Sequence, residues 1–205
     1  MSNLVVLRRR MVEIGRLMYD KGLIVAAEGN LSVRSGGHSF LVTPAGVGKG
    51  SLRVQDLLEV GVAGKSPAGL ATSEWGVHRE IYCRRPDVGA ICHAHPPWAT
   101  AFAVVGRDLD GSLLTETARF LPRVPVAERS LPGSDAVAES IVPLIGNHDA
   151  ILLGGHGVVA VGNGLEDAFA LLETVERLAQ VTLLAEMADG KCCLPEGAAR
   201  SLLEK

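Results

Sequence analysis

The stretch VGAICHAHPPWATAF, residues 88–102, contains a change from one type of secondary structure to another. An apolar run leads to two histidines, and two prolines then separate these histidines from a second apolar segment. A short continuous apolar run is typical of a buried strand, whereas proline suits the first turn of a helix, where its missing N–H is not needed. We therefore predict a buried strand that ends at the histidines and a helix that carries Trp98 to Val105.

The last third of the chain contains the clearest patterns. DAILLGGHGVVAVG, residues 149–162, predicts two strands broken by glycines around His156. LEDAFALLETVERLAQVTLLAEMA, residues 165–188, has a helical period that puts Leu172 and Leu178 on one stripe. We expect a pair of strands followed by a long helix that packs through this stripe.

The first part of the chain alternates in a similar way. Helical periodicity runs from about Asn3 to Lys21, and LSVRSGGHSFLVTP, residues 31–44, predicts a hairpin of two short strands. A further helix is expected after Thr72 or Ser73, either of which can cap it, and Pro86 must end it.

Two more elements complete the pattern. PRVPVAE, residues 122–128, predicts a brief strand, and a helix is expected from about Ser134 to Ile145. Strands and helices thus alternate loosely, with hairpins among them. This order implies a layered α/β domain in which helices cover a mixed or antiparallel sheet.

The composition is that of one domain with a sizeable core. The 205 residues are 47% hydrophobic, so we expect a single domain over residues 1–205. Twenty basic and twenty-three acidic residues give a net charge of −3, and their scatter predicts neither nucleic acid nor a membrane as partner. No apolar leader core and no uninterrupted apolar run of about 18 residues occurs in the sequence, which predicts a cytoplasmic protein.

Motifs of two other kinds of site are missing from the sequence. The adjacent Cys192 and Cys193 lack the Cys-x-x-Cys spacing of redox and zinc sites, and Cys83 and Cys92 stand apart. We interpret all four as ordinary thiols, with Cys92 on the strand face opposite His93. The glycine-rich stretches match neither G-x-G-x-x-G nor the phosphate loop of nucleotide-binding proteins.

His93 and His95 are a candidate metal-binding pair. Residues i and i+2 of a strand project from the same face, about 6 to 7 Å apart along the chain, so both rings can reach one ion. A catalytic zinc typically has three protein ligands and an open position. His156 is the best third candidate, because its glycine neighbours let the backbone approach closely, and His78 is the reserve. Spacing alone leaves a purely structural role for these histidines open.

Glu74 is a candidate base beside such a metal. A metal centre that catalyses proton transfer needs a carboxylate or another base close by. Glu74 follows two hydroxyl residues at a predicted helix N-terminus, where backbone N–H groups also favour an anion such as phosphate. A simple helix cap followed by an acidic residue is the alternative, and spacing does not decide between them.

Six segments in order resemble the class II aldolase and adducin family, in the branch of L-fuculose-phosphate aldolase. The resemblance extends from about residue 5 to 186 and is carried by AEGNLSVR (27–34), LVTPAG (41–46), TSEW (72–75), RPDVGAICHAHPPWATAFA (85–103), ILLGGHGVVAVG (151–162) and LEDAFALLETVERLAQ (165–180). It implies a three-layer α/β/α fold around a central mixed, largely antiparallel sheet.

The resemblance also implies a complete set of site residues. One Zn²⁺ per chain, or another divalent metal, would be held by His93, His95 and His156, with Glu74 matching the catalytic glutamate of the family. A pocket for a substrate phosphate would be formed by Asn30, Gly46, Thr72 and Ser73.

Two departures from the family pattern concern the substrate. Ala45 stands where many relatives have a hydroxyl residue, which removes one possible hydrogen bond to phosphate. No tyrosine follows Tyr82, although the fuculose aldolase branch has one in the region of LLTETARF, residues 113–120. Glu116 is the ionisable residue there, and it is a candidate accessory acid or substrate contact, with an exposed loop acid as the alternative.

The resemblance implies a zinc-dependent class II aldehyde-lyase that acts on a sugar phosphate. Its reaction would cleave a ketose 1-phosphate, such as L-fuculose 1-phosphate or a deoxy- or methylthio-pentulose 1-phosphate, to dihydroxyacetone phosphate and an aldehyde. The family also suggests a cyclic homotetramer with active sites at subunit interfaces.

Several alternatives remain at this stage. A sugar-phosphate 4-epimerase, a decarboxylase and a dehydratase belong to the same family, but the latter two tend to lack a glutamate at the position of Glu74. A non-enzymatic adducin-like binding module disagrees with the complete set of three histidines and Glu74. A barrel hydrolase that begins with His-x-His would need about 250 residues.

Overall fold

A mixed sheet of seven strands lies between two layers of helices in the computed structural model. The structure describes residues 3–61, 71–131 and 133–188. The helices are α1 (Asn3–Asp20), α2 (Trp75–Arg84), α3 (Pro97–Val105), α4 (Thr115–Ala118), α5 (Asp135–Ile145) and α6 (Leu165–Met187). The strands are β1 (Asn30–Gly36), β2 (Ser39–Val42), β3 (Leu58–Gly61), β4 (Ala90–Ala94), β5 (Leu109–Asp110), β6 (Arg123–Val124), β7 (Val126–Ala127), β8 (Ala150–Leu153) and β9 (Gly157–Gly162).

The sheet has the strand order β3-β2-β1-β4-β9-β8-β7. Its pairs are antiparallel except for β7 and β8, which run parallel. The predicted α/β/α fold with a mixed, largely antiparallel sheet is therefore confirmed. The predicted hairpin is β1 and β2, and the predicted strand pair around His156 is β8 and β9.

Strand β4 lies at the centre of the sheet and separates two hydrophobic cores. All five of its residues are buried, because β1 and β9 flank it and helices cover both faces. Cys92 belongs to the core formed with α1, α3 and α6, whereas Ile91 belongs to the core formed with α2 and α5. Since alternate residues of a strand share a face, His93 lies on the α2 side. It is therefore on the face opposite Cys92, as the sequence predicted.

The helix after β4 begins where the two prolines predict it. Pro96 is the N-cap, Pro97 is the first helical residue, and Gly106 ends the helix in the left-handed conformation with φ of 70°. Proline has its φ angle already set for a first turn, and glycine tolerates positive φ at a C-terminus. The histidines are consequently placed at a sharp change of direction between β4 and α3.

The prediction of one strand over residues 122–128 is wrong, because the structure has two short strands there, β6 and β7. β6 pairs with β5, and β7 pairs with β8, with Pro125 between them. Proline has no N–H to donate to a neighbouring strand. The Pro125 carbonyl still accepts from Leu152 N–H at 2.9 Å, so the chain changes partner at this residue.

Some sequence predictions fall outside the described residues, namely those for Cys192 and Cys193. Within the described ranges Cys83 is exposed and Cys92 is buried, and both are free thiols. No helix of those ranges combines the length and the apolar character that a membrane span requires.

Candidate metal centre and active site

His93 is held at the end of β4 by contacts on both sides of the strand. Its backbone pairs with Asn30 of β1 and with Val159 of β9. Its ring is buried, and Nδ1 donates to the carbonyl oxygen of Val158 at 2.8 Å. This hydrogen bond fixes the ring and leaves the lone pair of Nε2 available to a metal.

His95 and His156 approach His93 from the two neighbouring turns. His95 follows directly after β4, and His156 lies in the turn between β8 and β9, after Gly155 with φ of 72°. At Gly157 an added Cβ would overlap the carbonyl oxygen of Ala94 and lie 2.6 Å from Cδ2 of His95. The glycines thus let the turn approach the histidines closely, as the sequence predicted.

The three imidazoles converge through their Nε2 atoms. Nε2 of His93 lies 3.1 Å from Nε2 of His95 and 3.2 Å from Nε2 of His156. Two nitrogens bonded to one zinc at 2.0–2.1 Å, at a tetrahedral angle, are about 3.3 Å apart. The donor set and its spacing therefore fit a divalent metal with three nitrogen ligands and an open position.

The Glu74 carboxylate lies against this centre. Its Oε1 is 2.8 Å from Nε2 of His156, and its Oε2 is 3.1 Å from Nε2 of His93. Asn30 Nδ2 donates to the same Oε2 at 2.7 Å. The carboxylate is nearly buried, with a side-chain exposure of 10%, so little solvent competes for it.

The predicted helix cap at Thr72 or Ser73 is wrong by one or two residues. Glu74 itself is the N-cap residue of α2, and no side chain caps that helix. The Thr72 hydroxyl instead accepts from the backbone N–H of Glu74 at 3.3 Å. Because the Glu74 carboxylate contacts the histidines, it is not used to satisfy the first turn of its own helix.

The charges of the cluster are strongly coupled. Burial opposes ionisation of Glu74, but the charges and hydrogen bonds of His93 and His156 lower its pKa well below the usual range. Burial would lower the pKa of His93, and the facing Glu74 raises it overall. Burial, together with the charges of the other two histidines, lowers the pKa of His95 to about 4. Metal binding would displace the proton that the cluster holds, because ligand histidines must be neutral.

A pocket of about 310 Å³ opens beside the histidines. All four residues that the family resemblance implies for phosphate binding line it, together with Glu74, His95 and His156. Those four residues are Asn30, Gly46, Thr72 and Ser73. Backbone and hydroxyl donors at the start of a helix are suited to an anion, and they line the same pocket as His95 and His156.

Lys49 is a pocket residue that the sequence reasoning missed. It lies in a short helical turn of residues 49–51, and only 2% of its surface is exposed. Nζ donates to the carbonyl oxygen of Ala27 at 2.8 Å, which uses one of its three N–H groups. Burial lowers its pKa to about 8, partly offset by the charge of Glu74. A lysine between glycines just after TPAG was the available signal, but only the fold brings it beside Glu74.

Two further predicted candidates occupy other positions. His78, the reserve metal ligand, is completely buried on α2 and hydrogen-bonds to Asn30 and Ser32, so it does not join the three-histidine cluster. Glu116 lies exposed on α4 and accepts from the Thr115 hydroxyl at 3.0 Å. Among the described residues of the same chain, Glu116 does not line the pocket.

Comparison with known sequences identifies the family of this chain. Residues 9–183 match the family described as "Class II Aldolase and Adducin N-terminal domain". The chain belongs to the class II aldolase and adducin family. The family predicted from the six sequence segments is thereby confirmed, and the three histidines and Glu74 are part of the matched region.

Three relatives illustrate the range of activities within this family. An L-fuculose phosphate aldolase of Methanocaldococcus jannaschii is 33% identical over 178 residues, which cover 86% of this chain and 96% of that protein. A 3-oxo-tetronate 4-phosphate decarboxylase of Haemophilus influenzae is 34% identical, covering 83% and 84%. The crystal structure of L-fuculose-1-phosphate aldolase from Thermus thermophilus is 36% identical, covers 90% and 96%, and has a TM-score of 0.82.

The predicted enzyme class is confirmed at the level of the family. The aldolase relatives are lyases, and metal dependence is the norm for class II aldolases. The chain is accordingly a metal-dependent class II lyase. The named relatives catalyse different reactions, so family membership alone does not specify the substrate.

Proposed function

We propose that this protein is a zinc-dependent aldolase that cleaves a ketose 1-phosphate to dihydroxyacetone phosphate and an aldehyde. The observation that carries the proposal is the contact of the Glu74 carboxylate with two of the three convergent histidines, beside an anion-binding pocket. This arrangement supplies a metal site, a proton carrier and an anchor for phosphate. The fuculose phosphate aldolases among its relatives support the same reaction.

The substrate phosphate is assigned to the end of the pocket formed by Asn30, Gly46, Thr72 and Ser73. Lys49 adds a positive charge to this pocket. An ammonium group in the same pocket offsets the absence of a hydroxyl at Ala45, because a charged donor forms a stronger hydrogen bond to phosphate than a neutral one. Binding energy from the phosphate then orients the reacting carbons at the histidine cluster.

His93, His95 and His156 are the proposed metal ligands. A divalent metal bound there supplies a Lewis acid that polarises a carbonyl oxygen and stabilises negative charge on an adjacent oxygen. Zinc is proposed because three nitrogen ligands with an open position are typical of catalytic zinc. Metal analysis of the purified protein tests this assignment, and less than about 0.1 equivalent per chain would favour a binding module.

Glu74 is the proposed proton carrier. In aldol cleavage the C3–C4 bond breaks, the C4 hydroxyl passes its proton to a base as the aldehyde forms, and the electron pair left on C3 takes up a proton, so that one proton moves in net from the C4 hydroxyl to C3. Glu74 lies close enough to the histidines to deliver the proton at C3, and its carboxylate is shielded from solvent. The hydrogen bond from Asn30, which holds the Glu74 carboxylate in place, supports this role.

The decisive experiment is an activity screen of the zinc-loaded protein against a panel of ketose 1-phosphates. We expect dihydroxyacetone phosphate, detected by a coupled assay, from at least one of them. L-fuculose 1-phosphate and 5-deoxy- or 5-methylthio-pentulose 1-phosphates are the first compounds to test. A Glu74→Gln variant should lose turnover by at least about a hundredfold while it keeps its metal, and full activity in this variant would contradict the assignment of Glu74.

The same experiment separates the competing reactions. A decarboxylase, suggested by the relative that is 34% identical, would release carbon dioxide from an acid-sugar phosphate. A 4-epimerase would convert the substrate to its epimer without free aldehyde, and a dehydratase would release water. Absence of dihydroxyacetone phosphate together with one of these products would replace the aldolase proposal.

A homotetramer with active sites at subunit interfaces is also proposed from the family resemblance. Glu116 is exposed and lies outside the pocket of its own chain, so a contribution to catalysis requires that it reach the pocket of a neighbouring subunit. Mixing inactive Glu74→Gln and Glu116→Gln proteins should then restore part of the activity in hybrid tetramers. If Glu116→Gln alone is fully active, Glu116 is an ordinary surface acid.

A further inference from the structure

A chain of buried hydrogen bonds runs from the hydrophobic core to the Glu74 carboxylate. The Tyr82 hydroxyl lies 2.8 Å from Ser32 Oγ, and Ser32 Oγ lies 2.6 Å from Nδ1 of His78. Nε2 of His78 lies 2.5 Å from Oδ1 of Asn30, and Asn30 Nδ2 donates to Glu74 Oε2 at 2.7 Å. Five side chains from β1, α2 and the residue preceding α2 are thus connected in one line.

The Glu74 carboxylate, at the end of this chain of hydrogen bonds, determines which atom donates in every bond. An ionised carboxylate only accepts, so the Asn30 amide must present Nδ2 to Glu74 and Oδ1 to His78. His78 must then donate from Nε2 and accept at Nδ1. Ser32 consequently donates to His78, and its oxygen accepts from Tyr82.

The surroundings of His78 keep it in this single protonation state. Both His78 and its neighbour Ser32 are completely buried. Burial, and then the positive charge of His93, lower the pKa of His78 to about 3, with a smaller opposing effect from Glu74. The neutral ring has one N–H, and the only arrangement that satisfies both neighbours puts it on Nε2.

We propose that His78 is a positioning residue for Glu74. By donating to Oδ1 it holds the Asn30 amide in the orientation that presents Nδ2 to the carboxylate, and the carboxylate is thereby held against His93 and His156. A rotated Asn30 amide would turn its own oxygen toward Glu74, and two acceptors would face each other. This inference extends the proposed function to a residue that touches neither metal nor substrate, and its kinetic test rests on that function.

The kinetic test compares two substitutions of His78. His78→Leu removes the donor, and we expect kcat to fall about ten- to hundredfold, the usual range for a lost partner behind a metal centre. His78→Gln keeps an N–H donor near the position of Nε2, so kcat should recover to within a few-fold of the unmodified protein. Metal content should not change in either variant, because His78 is not a ligand.

Two further variants separate positioning from stability. Ile141 is a buried residue of α5 in the same core as Tyr82, and Ile141→Ala should lower the thermal midpoint, because it leaves a cavity in that core, without lowering kcat. If His78→Leu does not fold, Ser32→Ala is the alternative. It removes only the hydroxyl that donates to Nδ1 of His78, and kcat should fall in this variant as well. Equal kcat in the unmodified protein, His78→Leu and Ser32→Ala would overturn the proposal.

A measurement without substrate tests the proposal independently of the reaction. Imidazole ¹⁵N chemical shifts of the zinc-loaded protein should identify His78 as the neutral ring protonated on Nε2, and Ser32→Ala should allow a fraction of the Nδ1–H form. A His78 ring protonated on Nδ1, or on both nitrogens, at neutral pH overturns the positioning role. If the protein cleaves no ketose phosphate while His78 has the expected state, the proposed function fails and the hydrogen-bond chain stands.

Discussion

Gly157 shows how the absence of one side chain allows the metal centre to form. A Cβ atom added at this residue would overlap the carbonyl oxygen of Ala94 and would lie 2.6 Å from Cδ2 of His95, which is too close for either contact. A methyl group there would displace either the β4 backbone or a proposed metal ligand. Because three ligands must converge within a few tenths of an ångström, a small displacement is sufficient to weaken metal binding.

We therefore predict that Gly157→Ala lowers zinc affinity at least about tenfold and also destabilises the protein. Competition with a chromophoric chelator measures the affinity. Gly146→Ala is a suitable control, because Gly146 has helical backbone angles and open space at its Cβ position. Equal zinc affinity of Gly157→Ala and the unmodified protein would mean that the turn can shift without moving His95.

Lys49 contributes positive charge to the same pocket. Its pKa of about 8 means that the ammonium form dominates at pH 7 and is lost as the pH rises above 8. A protonated Lys49 attracts an anion, so phosphate binding should weaken across that range. The depressed pKa also reflects the free energy that burial of the charge requires.

The corresponding prediction uses inorganic phosphate as the probe. Lys49→Met should weaken phosphate binding, measured by calorimetry at pH 7.5, by about ten- to a hundredfold, the loss of one hydrogen bond to a charged group. The weakening of binding between pH 7.5 and 9.5 in the unmodified protein should largely disappear in this variant. Lys21→Met, which breaks an exposed ion pair with Glu173, is the control, and an equal effect from it would remove Lys49 from the pocket assignment.

At the scale of elements, α6 holds the first turn of α3 in place. The Glu176 carboxylate of α6 accepts from the backbone N–H groups of Trp98 and Ala99, at 3.1 and 2.8 Å. These are orphan donors at a helix N-terminus, three and four residues after His95. Glu176 is more than half buried, and this burial raises its pKa despite the two hydrogen bonds.

Glu176→Ala should consequently lower the free energy of unfolding by about 1–3 kcal/mol, since two partly buried N–H groups lose their acceptor. Urea unfolding of the metal-free protein measures this change. Glu173→Ala, one turn earlier on the same helix, removes only the ion pair with Lys21 and should lower stability by no more than about 1 kcal/mol. Equal losses in the two variants would contradict a specific contact between α6 and α3.

At the scale of the whole molecule, the proposed metal ligands connect distant parts of the fold. His93 and His95 belong to β4 and its end, whereas His156 belongs to the turn between β8 and β9. A ligand that binds only the folded state stabilises it by mass action, by about 2.7 kcal/mol at a hundred times the dissociation constant. Metal binding should therefore be visible in global stability.

Removal of the metal with a chelator should lower the thermal midpoint, and added zinc should restore it. His156→Ala should have nearly the same midpoint with and without zinc, because one of three ligands is missing. Differential scanning calorimetry with and without chelator measures both. A midpoint of the unmodified protein that does not respond to zinc would contradict the assignment of this cluster as a metal centre.

The sequence by itself determined the elements and their order to a large extent. The change from an apolar run to paired prolines predicted β4 and α3, and the glycines around His156 predicted the turn between β8 and β9. These signals are local, because strand burial, proline at a first turn and glycine at positive φ depend on neighbouring residues. The local pattern also predicted His93, His95, His156 and Glu74 as candidates.

Tertiary structure decided which of these residues meet and what supports them. The Nε2 distances of 3.1 and 3.2 Å, the contact of Glu74 with two histidines and the burial of Lys49 depend on strand order and register. The role of His78 is the clearest case, because the sequence predicted a reserve metal ligand whereas the fold turns both ring nitrogens toward β1. Ser32 and Asn30 are 46 and 48 residues away from His78 in the sequence. No local sequence pattern can predict these hydrogen bonds, because only the packing of α2 on β1 brings the residues together.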